Sequence, residues 1–128
     1  MRLTWTGGRA FEGTDRNGVR VPIGAGGGPK AADLLPLSLA ACTAIGVVGV
    51  LEKQRLEPKD IVAEIEAEQA PETPHAYTRI AITFVIRCPD IEPHHIERAI
   101  AAGERHCTVR HSLDPAIRVE LGYRLETA

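Results

Sequence analysis

The chain has 128 residues, the length of one domain, and its apolar share of 44% and charged share of 25% are typical of a globular protein. Its formal charge of −2 argues against nucleic acid or an anionic membrane as a main partner. Three cysteines without a Cys-x-x-Cys pair, and the lack of a signal-peptide run, argue against a secreted disulfide scaffold and a zinc site. We therefore predict one cytoplasmic domain, residues 1–128, without metal or cofactor.

The N-terminal segment predicts three short strands, at residues 2–6, 9–13 and 19–23. Asn17-Gly18, a strong hairpin signal, precedes the third strand. The glycine-rich residues 24–29 lack the Gly-Lys-Ser/Thr ending of a phosphate-binding loop. They are predicted to be a hinge that leads into a helix.

A run of almost uninterrupted apolar residues from 34 to 51 predicts a central helix that ends near residue 55. Pro36 falls in its first turn, where a missing N–H costs nothing, and Asp33 is a natural N-cap. The run is about the minimum length of a membrane span. Because Pro36, Gly46 and Gly49 interrupt it and its flanks lack aromatic anchors, we favour a buried core helix and predict no membrane partner.

The C-terminal half alternates strands with one further helix. Residues 61–68 alternate apolar and acidic side chains, which predicts a strand with one solvated face, and residues 78–87 and 117–125 predict two more strands. Apolar positions at three-to-four spacing predict a helix over residues 94–108. The resulting order, βββ-α-ββ-α-β, is an α+β fold in which sheet covers the long helix.

Two of the cysteines lie on predicted helices. Cys42 is in the middle of the central helix, and Cys107 is near the end of the second helix. This is the layout of a two-cysteine redox enzyme, and equally that of two ordinary core cysteines. Cys88, at a strand end, is predicted to be an incidental thiol. His106 and His111 are five residues apart, off the spacing that places two metal ligands on one helix face.

A sequence motif surrounds each of these two cysteines. The central helix carries Leu39-Ala40-Ala41-Cys42-Thr43-Ala44-Ile45, and the later segment carries Glu104-Arg105-His106-Cys107-Thr108-Val109. Together with the strand order, these motifs resemble those of the OsmC/Ohr family, the osmotically inducible protein C-like and organic hydroperoxide resistance proteins. The resemblance covers nearly the full chain and implies an intertwined homodimer with active sites at the subunit interface.

The resemblance also implies thiol peroxidase chemistry in oxidative-stress defence. Cys42 would attack an organic hydroperoxide as a thiolate and become a sulfenic acid. Cys107 would resolve this acid as a disulfide, which a dithiol reductant reopens.

The thiolate of Cys42 requires a stabilising partner, because burial in an apolar helix raises the pKa of a thiol. The resemblance implies an arginine from the N-terminal region, held by an acidic residue just before the cysteine helix. Arg20, on the third predicted strand, is the preferred cation, and Asp33 occupies the acidic position. The alternatives left open are Arg9, Arg16, Arg105 and His106.

Two other functions are compatible with the same motifs. The first is a binding protein with this fold that holds a small apolar ligand at the dimer interface without turnover. The second is a structural or interaction module, in which both cysteines would tolerate alanine with a loss of about 1–2 kcal/mol.

Overall fold

The computed structural model describes residues 1–126, which divide into two compact units, Met1–Leu35 and the segment from Pro36 onwards. The first unit holds strands β1 (Arg2–Gly7), β2 (Ala10–Thr14) and β3 (Arg20–Gly24), then a 3₁₀ turn, Ala31–Asp33. Helix α1 (Leu34–Lys53) begins at the boundary. The remaining elements are β4 (Asp60–Gln69), β5 (Tyr77–Arg87), α2 (Pro93–Arg105), α3 (Thr108–His111) and β6 (Arg118–Glu126).

The α+β fold predicted from the sequence is confirmed. The observed order of elements differs from the predicted order only by the 3₁₀ turn and the short helix α3. The three N-terminal strands begin and end within one residue of the predicted positions. Pro36 is the third residue of α1, as expected. Whether residues 1–128 form a single domain stays a prediction.

The first unit is an antiparallel sheet in the order β1-β2-β3, with an apolar face and a polar face. Strand register aligns Leu3 with Gly13 and Val21, and it aligns Trp5 with Phe11 and Ile23. Side chains two residues apart along a strand share a face, so these residues form one apolar surface. Of its large members, Leu3, Trp5, Phe11 and Val21 are exposed, with Trp5 at 64%.

The second unit is built on a sheet in the order β4-β5-β6, in which β5 pairs antiparallel with β4 and parallel with β6. A parallel neighbour requires a crossover connection, and α2 with α3 provides it. Alternate residues of β5, from Ile80 to Ile86, are fully buried. They belong to one core cluster with residues of α1 and α2, including Leu39, Val47, Leu51, Ile96 and Ala99.

The opposite face of this sheet is polar. Arg79, in the middle strand, has its guanidinium 2.9 Å from Glu120 and 3.2 Å from Glu68 on the two neighbouring strands. On β4, the exposed Val62 lies between the acidic residues Asp60 and Glu64 on this face. The carboxylates of these ion pairs are solvated, and such pairs stabilise little, so the stability of the unit comes mainly from the apolar face.

Helix α1 is buried on one face only, although its sequence is apolar all round. It is long and apolar enough to span a membrane by length and composition, but six of its residues are buried inside the chain: Pro36, Leu39, Ala40, Thr43, Val47 and Leu51. On another side, Leu37, Ala41 and Ile45 form an exposed stripe at four-residue spacing, with Ile45 at 74%. The helix is therefore a core helix that keeps one apolar stripe uncovered in the single chain.

Candidate active site

Helices α1 and α2 touch through their backbones at Gly46 and Gly103. A Cβ atom on Gly46 would lie 2.9 Å from the Cα of Gly103, and a Cβ on Gly103 would lie 2.9 Å from the carbonyl oxygen of Thr43. Both distances are shorter than real Cβ contacts, so only glycine permits this approach. The end of α2 is thereby packed onto the turn of α1 that carries Cys42.

The second predicted helix, residues 94–108, is wrong at its C-terminal end. Helix α2 ends at Arg105, and Cys107 has an extended backbone (φ −77°, ψ 112°) before α3 starts at Thr108. The Cys107 sulfur caps this new turn by accepting a hydrogen bond from the Arg110 N–H at 3.3 Å. The break matters because the first N–H groups of a helix have no partner inside it.

The first N–H groups of α3 face the sulfur of Cys42. The backbone N–H of Val109 donates to the Cys42 sulfur and holds the pKa of the thiol below its ordinary value. The Cys107 thiol and the Thr108 N–H also donate to this sulfur and lower the pKa further, while partial burial opposes them. The arrangement favours the thiolate, which is the nucleophilic form.

The two sulfurs differ in accessibility. Cys107 is 1% exposed, Cys42 is half-buried, and both are free thiols. A small oxidant can therefore reach Cys42, while the neighbouring Cys107 is shielded from it. This order of access suits a pair in which the first thiol is oxidised and the second forms a disulfide with it.

Charged side chains surround the short α3. The Arg110 Nε lies 3.5 Å from the Glu104 Oε2, at ion-pair distance but without the geometry of a hydrogen bond. The His111 Nε2 donates to the carbonyl oxygen of Arg105 at 2.7 Å, which ties α3 to the end of α2. Arg105 and His106, both considered as cations for the thiolate, are exposed.

The other two residues predicted for the site belong to the first unit. Arg20 begins β3, its guanidinium is 3.7 Å from the Glu12 carboxylate, and its side chain is 76% exposed. Asp33 ends the 3₁₀ turn directly before α1, and its backbone N–H donates to the carbonyl oxygen of Lys30 at 3.0 Å. The predicted roles of Arg20 and Asp33 in thiolate formation stay predictions.

Cys88 has surroundings opposite to those of Cys42. It is 4% exposed at the end of β5, and burial followed by the charge of Asp90 raises the pKa of its thiol. Its thiol donates to the carbonyl oxygen of Pro89 at 3.5 Å. Across residues 1–126, His, Cys, Asp and Glu side chains form no group of three or more that could hold a metal ion.

Comparisons with known proteins support the same fold and family. A family profile described as "OsmC-like protein" matches residues 24–122. The chain is 28% identical to protein YhfA of Escherichia coli K12 over 131 aligned positions, which cover 99% of this chain and 98% of YhfA.

Two solved structures illustrate the likeness of fold. A hypothetical protein from Aquifex aeolicus VF5 has a TM-score of 0.89 at 23% identity, covering 99% of this chain and 95% of its own. The organic hydroperoxide resistance protein OhrB of Bacillus subtilis has a TM-score of 0.61 at 20% identity, covering 96% of each chain.

Proposed function

We propose that this chain, which belongs to the OsmC-like protein family, is a thiol peroxidase that reduces organic hydroperoxides through Cys42 and Cys107. One observation carries the proposal: a half-buried thiol with a lowered pKa lies beside a second, buried thiol. The likeness to a protein named for organic hydroperoxide resistance supports the same choice of substrate. We further propose a cytoplasmic location and a role in oxidative-stress defence.

The proposed reaction has three balanced steps. The Cys42 thiolate attacks one peroxide oxygen, so that an S–O bond forms, the O–O bond breaks and the alcohol leaves with a proton. The Cys107 sulfur then attacks the Cys42 sulfenic acid, forming the S–S bond and releasing water. Finally, an external dithiol gives up two electrons and two protons to restore both thiols and is itself oxidised to a disulfide.

The surface beside Cys42 favours an apolar peroxide. Ala41 and Ile45 are exposed neighbours on α1, and an alkyl or aryl group gains free energy when it covers such a surface. Hydrogen peroxide has no such group. We expect organic hydroperoxides to react faster than hydrogen peroxide for this reason.

The deciding experiment is mass spectrometry of the reduced protein after brief exposure to one equivalent of cumene hydroperoxide. We expect a loss of about 2 Da, mapped to a Cys42–Cys107 disulfide. Cys88→Ala should behave like the wild type, whereas Cys42→Ser should not react. An unchanged mass, or oxidation spread over all three cysteines, would contradict the proposal.

The ligand-binding alternative has one observation in its favour, the exposed apolar stripe on α1, which could hold a ligand without thiol chemistry. It predicts that Cys42→Ser retains full affinity for a small apolar probe. It also predicts that the wild-type protein does not consume cumene hydroperoxide.

Arg20 and Asp33 are proposed to assist formation of the thiolate. If Arg20 supplies the activating cation, Arg20→Gln should slow disulfide formation by cumene hydroperoxide. Arg2→Gln is a matched control, because strand register places Arg2, Thr14 and Arg20 side by side on the same face of the sheet. Equal rates in the two variants would remove Arg20 from the mechanism.

A further inference from the structure

We propose that the Gly46–Gly103 contact positions the N–H groups of Thr108 and Val109 against the Cys42 sulfur, which makes both glycines positioning residues for the thiol. The inference deepens the proposed function, because it concerns activation of the thiol on which that function rests. It assigns a role to two residues that touch neither sulfur.

The contact is rigid on both sides. The two closest atoms that a Cβ at Gly103 would meet are the carbonyl oxygen of Thr43 and the backbone N of Val47, both fixed inside α1. Van der Waals contacts are optimal at about 3.5–4 Å, so alanine at Gly103 would push the helices apart by roughly 0.5–1 Å. No flexible side chain can move aside to absorb this shift.

The shift would act directly on the hydrogen bonds to Cys42. Thr43, which Gly103 contacts, is the residue next to Cys42. Only the end of α2 and the tight break at His106 and Cys107 separate Gly103 from the two N–H donors. Hydrogen bonds weaken steeply as distance and angle depart from their optimum, so the thiolate would lose much of its stabilisation.

A third glycine provides a matched control. Gly49 lies on the same helix, one turn beyond Gly46, and a Cβ there would meet nothing within 4 Å. Gly49→Ala therefore changes the same residue type in the same helix without moving α2. The buried Cys88 reports separately on whether a variant has loosened the unit as a whole.

The test is the rate of alkylation by iodoacetamide across pH, measured on the reduced full chain and mapped to Cys42 and Cys88 by mass spectrometry. We expect Gly46→Ala and Gly103→Ala to move the midpoint for Cys42 to higher pH. Because a higher pKa also makes the remaining thiolate more nucleophilic, the rate at pH values well below the midpoint should fall by about threefold for each unit of pKa. Gly49→Ala should leave the profile unchanged, and Cys88 should stay protected in all variants.

The inference holds if at least one of the two contact variants raises the Cys42 midpoint while Cys88 stays protected. It is overturned if neither variant does so, or if Gly49→Ala raises the midpoint equally. Consumption of cumene hydroperoxide by the wild-type protein is measured in parallel. A protein that fails to consume the peroxide while showing the glycine effect would refute the proposed function and leave the positioning role intact.

Discussion

Cys42 and Cys88 lie in the same unit, and their surroundings shift their pKa values in opposite directions. Two backbone N–H groups and a neighbouring thiol face Cys42, so its charged form is stabilised. Burial and the carboxylate of Asp90 act on Cys88, so its neutral form is favoured. The same side chain is thus favoured as a thiolate in one place and as a neutral thiol in the other.

The first prediction is that Cys42 is deprotonated at lower pH than Cys88. Because the pKa of Cys42 in the folded state lies below that in the unfolded state, the thiolate adds to stability once pH exceeds the unfolded-state value. That contribution disappears as pH falls through the folded-state pKa. The measurement is thiolate ultraviolet absorbance against pH for the wild type, Cys42→Ser and Cys88→Ala. The titration step that Cys42→Ser removes from the absorbance curve belongs to Cys42. If that step lay at the ordinary pKa of a thiol, the described site would not activate Cys42.

At the residue scale, the sequence identified the two sulfurs but not the groups that act on Cys42. Motifs drew attention to Cys42 and Cys107, and the structure places their side chains together. The N–H groups of Thr108 and Val109 were missed, because every residue except proline has such a group and its direction depends on backbone dihedral angles. The signals that were available are Gly46 and Gly103, which lie in predicted helices where glycine is unfavourable.

At the element scale, the break between α2 and α3 determines which groups face the thiol. The apolar pattern Ile96, Ala99, Ile100, Gly103 and Cys107 continues across the break, so periodicity predicted one unbroken helix. The helix itself is interrupted at Cys107, whose sulfur caps the N-terminus of α3. The residues at which β4 and β5 begin and end were predicted closely from the alternation of apolar and polar side chains. The parallel pairing of β5 with β6 could not be predicted in this way, because it depends on long-range contacts.

The second prediction concerns this cap. Cys107→Ser keeps a side-chain acceptor for the Arg110 N–H and a donor for Cys42, whereas Cys107→Ala keeps neither. Loss of an N-cap costs about 1 kcal/mol, so α3 should loosen in the alanine variant and its N–H groups should leave the Cys42 sulfur. We therefore expect the pKa of Cys42 to rise more in Cys107→Ala than in Cys107→Ser. Thiolate absorbance measures the difference, and equal values would show that the cap does not control the site.

At the scale of the whole molecule, each unit has an uncovered apolar surface. In the first unit it is the sheet face that contains Leu3 and Trp5, and in the second it is the α1 stripe of Leu37, Ala41 and Ile45. Monomeric proteins rarely expose large contiguous apolar patches. The sequence predicts a helix buried on all sides. We propose that a second copy of the chain completes that burial in a homodimer, with the peroxide site beside Cys42 at the subunit interface.

The last prediction is that Ile45→Arg disrupts this dimer whereas Val62→Arg does not. Ile45 is 74% exposed on the apolar stripe, and burying an unpaired arginine there would be costly. Val62 is also an exposed apolar residue, but it lies between Asp60 and Glu64 on a polar sheet face, where arginine can be solvated. Light scattering at matched concentrations should give a dimer for the wild type and Val62→Arg and a smaller species for Ile45→Arg. A wild-type monomer at every concentration would refute the homodimer.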